Sequence, residues 1–136
     1  MPEIAWPSAV VFDPAAARVP PDIDKLFPMQ ERIAVVLLLA GAHAREQGWS
    51  AQAAIRLADH CGATGRCVLI DLAFDDGELH DPLAAENVEG IADVFLYGAS
   101  VRHVEQRPAR RAFEFLSVGD AAGEAETVIG HSRWPR

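Results

Sequence analysis

Lysine is almost missing from this sequence: Lys25 is the only one among 136 residues. A chain with one ammonium side chain, set among prolines, has little with which to neutralise a polyphosphate. Tyrosine is as scarce, with Tyr97 alone, which leaves no tyrosine-rich stretch for modification. Cysteine occurs only at Cys61 and Cys67. Two thiols fit neither a disulfide scaffold nor a structural zinc site, so both are read as reduced core thiols. Positive charge is also short: 12 Lys and Arg against 20 Asp and Glu leave a net charge of −8. That balance argues against nucleic acid as a partner. The one local exception, Arg107-Pro108-Ala109-Arg110-Arg111, reads as a solvated turn before a strand. No run approaches the roughly 18 apolar residues of a membrane helix. Direct membrane insertion is therefore not expected, and attachment to the inner membrane would come through a partner. Met1–Asp13 has neither a basic start nor a continuous apolar run, which favours a cytoplasmic protein over a secreted one.

Half of the residues are hydrophobic and 24% are charged, a globular balance. Residues 1–30 read as a proline-rich N-terminal arm, with Pro2, Pro7, Pro14, Pro20, Pro21 and Pro28 too close together for a long helix. A short helix is expected at Asp22–Phe27. Residues 31–136 read as one domain. Arg32–Ala40 (RIAVVLLLA) is a continuous apolar run with β-branched members, the pattern of a buried parallel strand. Gly41–Trp49 reads as a loop. Ser50 is placed as the cap of a helix reaching Gly62, with Ala54, Ile55, Leu57, Ala58 and Cys61 along its buried stripe. Arg66–Ala73 (RCVLIDLA) is expected as a second buried strand, completing a right-handed βαβ unit. Weaker helical stretches follow at Leu79–Ala85 and Ile91–Tyr97, and Phe113–Val118 reads as a third strand. Gly119–Arg136 is polar and shows no closing element. The expected class is α/β, a Rossmann-like three-layer domain with a mainly parallel sheet.

In such a sheet, ligands sit beyond the carboxyl ends of the strands. The segment Ala42-His43-Ala44-Arg45-Glu46-Gln47-Gly48-Trp49-Ser50-Ala51 is then the place for chemistry. A phosphate loop there needs glycines that expose backbone N–H groups, a lysine for the β- and γ-phosphates, and a Ser or Thr for Mg²⁺. The run GWSAQAAIRLADHCGATGRCVLIDLAFDDGELHDPL, followed by ENVEGIADVFLYGAS and FEFLSVGD, resembles the cytoplasmic P-loop ATPase domain of bacterial tyrosine kinases. Those kinases control capsule and exopolysaccharide synthesis and belong to the ParA/MinD-like class. The family's stretches run approximately PGEGKST, VLLIDxDLRxPxLH, GLSDVL and a strand ending in PxG. The resemblance covers about Arg32–Asp120 and implies a partial P-loop NTPase-like fold.

The departures fall where the resemblance would place catalysis. Trp49 stands in the lysine's place, and an indole carries no positive charge. Glu46 occupies a glycine position and adds a carboxylate beside the phosphate path. Ala51 replaces the hydroxyl residue after Ser50. The aspartate pair becomes Asp71-Leu72-Ala73, which keeps only the first carboxylate, and Asp75 stands where a basic residue is expected. The resemblance also implies a later strand ending in aspartate, for which no segment is found, so the domain is expected to be truncated. Loss of these groups removes most of the electrostatic stabilisation of Mg²⁺–ATP. No catalytic residue, metal or cofactor is assigned, ATP and Mg²⁺ included.

What remains is a nucleotide-loop remnant of Gly48, Trp49, Ser50, Ala51 and Asp71. Gly48 can still present amides to an anion. Ser50 is explained by capping without appeal to Mg²⁺. Asp71 is read as an inherited carboxylate hydrogen-bonded to the old loop. Trp49 is either core filler or an interface anchor, and the sequence leaves both open. Asp75, Asp76 and His80 read as a solvated loop rather than a metal cluster, and His43, His60, His103 and His131 as surface or edge residues. The expected function is a pseudo-ATPase or pseudokinase subunit that acts by protein contact. By resemblance its partner is a polysaccharide co-polymerase or export component, or a catalytically intact paralogue. Open sheet edges would also favour self-association. Two alternatives stand beside this: an ATPase or kinase completed by a partner, with Arg45 the nearby cation, and an anion or small-ligand binder using the loop amides.

Overall fold

A computed structural model of the chain describes residues 13–16, 18–26, 35–120 and 125–132. It divides into two compact units, Met1–Arg56 and Leu57–Arg136.

In the first unit a 3₁₀ helix runs over Pro21–Leu26, where the short helix was expected; Phe27 lies outside the described residues. Proline at its first position suits this, because the missing N–H has no intrahelical partner there. Helix α1 spans Ala42–Glu46, and α2 begins at Trp49 and runs to Gly62. The Arg56 guanidinium reaches back within this unit to the carbonyl of Ala16 at 2.7 Å.

Two expectations fail here. The expected strand over Arg32–Ala40 is absent from its described part: residues 35–40 form no strand, and Val35 and Leu39 are 89% and 84% exposed. Among the described residues, the backbone groups of this run make no backbone hydrogen bond. An apolar run becomes a strand only when a neighbour accepts its ladder, and none does among the described residues. The expected Gly41–Trp49 loop is instead largely helical, because α1 occupies its centre.

The second unit holds a two-stranded parallel sheet. Strand β1 (Val68–Ile70) pairs in register with β2 (Glu114–Leu116), Val68 opposite Glu114 and Ile70 opposite Leu116. Flanking bonds extend the ladder, from Glu114 N–H to the Cys67 carbonyl and from Asp71 N–H to the Leu116 carbonyl, both 3.0 Å. Between the strands lie α3 (Ile91–Leu96) and α4 (Val101–Val104), and α5 (Ala125–Ile129) follows β2. The architecture is therefore α/β with a parallel sheet. Its strand–helix–strand unit falls one step later than expected, between the second and third expected strands. The three-stranded sheet of the sequence reading is two-stranded among the described residues.

The core of this unit gathers Phe74, Ile91, Val94, Val104, Leu116, Val118 and Val128. Phe115 is fully buried, and its N–H and carbonyl both bond to Gln106, at 2.8 and 2.9 Å. Leu79–Ala85 forms turns rather than the expected helix. Pro82 lies in its middle, Ala84 takes a φ of 50°, and the N–H of Leu79 is drawn to the Asp71 carboxylate. Among the described residues no helix is long and apolar enough to cross a membrane.

Candidate functional site

The remnant Gly48, Trp49, Ser50 and Ala51 forms the junction of α1 and α2, in the first unit. Gly48 has a φ of 71°, a left-handed conformation that glycine adopts without a steric penalty. Its N–H closes α1 by donating to the Arg45 carbonyl at 3.0 Å, beside a 3.1 Å bond from Gln47 N–H to the His43 carbonyl. Its own carbonyl opens α2 by accepting from Gln52 N–H at 3.2 Å. Glycine at this position is thus accounted for by a helix–helix turn. A phosphate cradle requires N–H groups that point outward unpaired, and the Gly48 N–H is already bonded.

Ser50 is not the helix cap. It is the second residue of α2 and is buried, as is Ala51. Gly48 precedes the helix instead, because Trp49 already has helical backbone. The Trp49 side chain is 42% exposed, which removes core filler from its two readings.

Asp71 lies in the second unit, directly after β1, and is 3% exposed. Its Oδ1 accepts the Ala73 N–H at 2.9 Å, and its Oδ2 accepts those of Glu78 and Leu79 at 3.0 and 3.1 Å. All three bonds go to the loop that follows the strand. A buried carboxylate is tolerated when backbone donors surround it. Here that carboxylate folds residues 73–79 around the strand end, so its local role is structural. Asp75 and Asp76 are exposed on this loop, and the Nδ1 of His80 is buried without a hydrogen-bond partner. Among the described residues, no group of three or more His, Cys, Asp or Glu side chains is arranged to hold a metal.

The carboxyl end of β2 is closed as firmly, by residues the sequence reading passed over. Ile91 and Ala92 donate their N–H groups to the carbonyls of Ser117 and Val118, at 2.7 and 3.1 Å. The Asp93 carboxylate turns back to accept the Gly90 N–H at 2.7 Å, and the Asn87 side chain accepts the Gly119 N–H at 2.9 Å. Gly119 has a φ of 90°, and a Cβ there would stand 2.5 Å from Asp93 Oδ2. A Cβ on Gly90 would collide with the Ser117 carbonyl oxygen. The signal in the sequence was Glu89-Gly90 ahead of an apolar helix and Val118-Gly119 behind a strand, two glycines that meet only in space.

One open cleft of about 280 Å³ is lined by Glu86, Val88, Glu89, His103, Val104 and Gln106. His103 Nε2 lies 2.9 Å from Glu89 Oε2. The Gln106 amide is held by two 2.8 Å bonds to the Glu86 backbone, leaving it fixed. His43 is exposed like His103, whereas His60 and His131 are half-buried, His131 with its ring centroid 5.2 Å from that of Phe95. Cys61 and Cys67 form no disulfide among the described residues and are half-buried rather than core. Burial pushes the Cys67 thiol above its ordinary value of 9.0, and Glu114 and Asp59 push it further. It is thus held as an unreactive thiol at neutral pH.

No family model and no curated protein matches this chain.

Proposed function

We propose that this chain is a non-catalytic, P-loop NTPase-like module that works by protein contact in exopolysaccharide synthesis or export. One observation carries the reading. At the position where the resembling kinases have a phosphate-binding lysine, Trp49 presents a neutral, 42% exposed indole. The glycine before it has its N–H bonded within the turn. A triphosphate brought to this junction would meet no ammonium and, at Gly48, no available amide.

An exposed tryptophan suits an interface anchor, because its large rigid ring buries much area at small entropic cost. The partner fitting the resemblance is the cytoplasmic face of a polysaccharide co-polymerase or export component, or an intact paralogue. The module would then work in the cytoplasm and reach the membrane through that partner. Isothermal titration of the full chain with Mg-ATP tests the central claim. The expected result is no saturable heat; binding in the micromolar range overturns the proposal.

A further inference from the structure

Charge in the second unit is sorted by the direction of its strands. Between Arg66 and Arg102 the sequence holds eight Asp and Glu and no Lys or Arg. Arg102, Arg107, Arg110 and Arg111 then follow within ten residues, interrupted only by Glu105. Because β1 and β2 are parallel, the segments that lead into them lie at one end of the sheet and those that leave lie at the other. Arg66 leads into β1, and the turn carrying Arg107, Arg110 and Arg111 leads into β2. Asp75 and Asp81 follow β1, and Asp120 follows β2. Among the described residues these arginines lie at the amino end of the sheet and these aspartates at the carboxyl end.

The amino end also contains acids, and their depth decides what the surface presents. Glu105 and Glu114 side chains are each 15% exposed and Asp59 is 29% exposed, whereas Arg66 and Arg107 are 70% and 85% exposed. The carboxylates lie beneath and the Arg66 and Arg107 guanidiniums face outward, while Arg111, 34% exposed, is held against Asp59. Asp59 bonds Arg111 at 2.7 Å and accepts the Ala112 N–H at 3.0 Å, which ties the turn down. Glu114 lies 3.6 Å from Arg66 and 3.7 Å from Arg107, beyond ordinary hydrogen-bond length. Arg66 is held by a 3.1 Å bond to Glu105 Oε1, whereas Arg107 can turn to an incoming acid without breaking a short bond. Arg110 lies at the tip of the turn with a φ of 62°, exposed and with no side-chain partner among the described residues. Arg107, Arg111 and Glu114 border an open cleft of about 220 Å³. At the other end Asp75 and Asp120 are exposed, and the Asp81 side chain is 91% exposed.

We propose that copies of this chain associate head to tail, the arginine turn of one against the Asp75–Asp81 loop of the next. Both complementary surfaces belong to the same chain, and they lie at opposite ends of one unit. A contact between them is heterologous, so it repeats from copy to copy rather than closing as a two-fold dimer. Exposed charge pairs of this kind are screened by salt, since the Debye length falls from about 10 Å at 0.1 M to about 3 Å at 1 M. The inference does not rest on the nucleotide-loop reading and stands or falls separately from the Mg-ATP titration.

Sedimentation of the full 14.7 kDa chain over a range of concentrations tests it. At about 20 mM salt the average mass should rise past the dimer, and about 0.5 M salt should weaken association at least tenfold. The double variant Arg107→Glu/Arg110→Glu should be monomeric, as should Asp75→Arg/Asp81→Arg. An equimolar mixture of the two should associate again, because each supplies the end that the other has lost. That recovery also shows that both variants are folded. A chain that stays monomeric at low salt, one that stops at a salt-insensitive dimer, or variants that associate like the wild type would each overturn the proposal.

Discussion

Val35–Ala40 and Val68–Ile70 are built from the same kind of aliphatic residue, yet they end in opposite environments. The first run, in the Met1–Arg56 unit, is exposed from Val35 to Leu39, and its backbone makes no ladder among the described residues. The second, in the Leu57–Arg136 unit, is paired along its length with β2, with Leu69 and Ile70 half-buried and Val68 exposed. Composition does not separate them; neighbours do. β1 has β2 beside it, and β2 is itself held by Gln106 on its other side and buried from Phe115 to Gly119. The loops leaving both strands are tied by carboxylates, Asp71 after β1 and Asp93 against the end of β2. A strand is stabilised by that whole surround, and the residues of the strand alone cannot supply it.

The largest expected effect breaks the closed region. Phe115→Ala removes a fully buried ring at the centre of the ladder and should cost about 4 kcal/mol in urea denaturation of the second unit. A loss below about 1 kcal/mol would show that Phe115 is not core. Next comes Gly119→Ala. The φ of 90° and the contact with Asp93 Oδ2 combine backbone strain with overpacking, for about 3 kcal/mol. A thermal melt matching wild type would mean that the Gly90–Gly119 seam opens freely. The smallest effect belongs to the open run. Leu37→Ala, at 67% exposure, should change stability by no more than about 0.5 kcal/mol. If it costs about 2 kcal/mol or more, the two runs are alike after all and Val35–Ala40 is a covered strand.

Much of the described secondary structure was legible in the sequence. The Arg66–Ala73 and Phe113–Val118 runs contain β1 and β2, Ile91–Tyr97 contains α3, and Ser50–Gly62 matches α2 to within one residue. Each has a periodicity or a β-branched run that survives without tertiary help. Ala54, Ile55 and Ala58 are buried as expected, whereas Leu57 and Cys61 are only half-buried. The short α4 and α5 carry too few residues for a period to show, and Leu79–Ala85 was misread because Pro82 was outweighed by the leucines around it. The candidate site was less legible. That Trp49 carries no charge is readable from its identity alone. By contrast, whether Gly48 offers its N–H to a ligand depends on α1, and that helix lies in a stretch whose glycines and polar residues read as loop.

By itself the sequence determined the charges: one lysine, a net charge of −8, an arginine turn and a carboxylate-rich block ahead of it. It determined too that an uncharged indole, Trp49, follows Gly48. Those are properties of side-chain identity and persist in any conformation. Tertiary structure decided which apolar run became a strand, what Asp71 holds, and that Gly90 and Gly119 must both be glycine. It also placed basic and acidic residues at opposite ends, because only the parallel pairing of β1 and β2 sets the direction of the segments around them. Such outcomes depend on groups far apart in the chain coming within a few ångströms, and local composition carries no record of those distances.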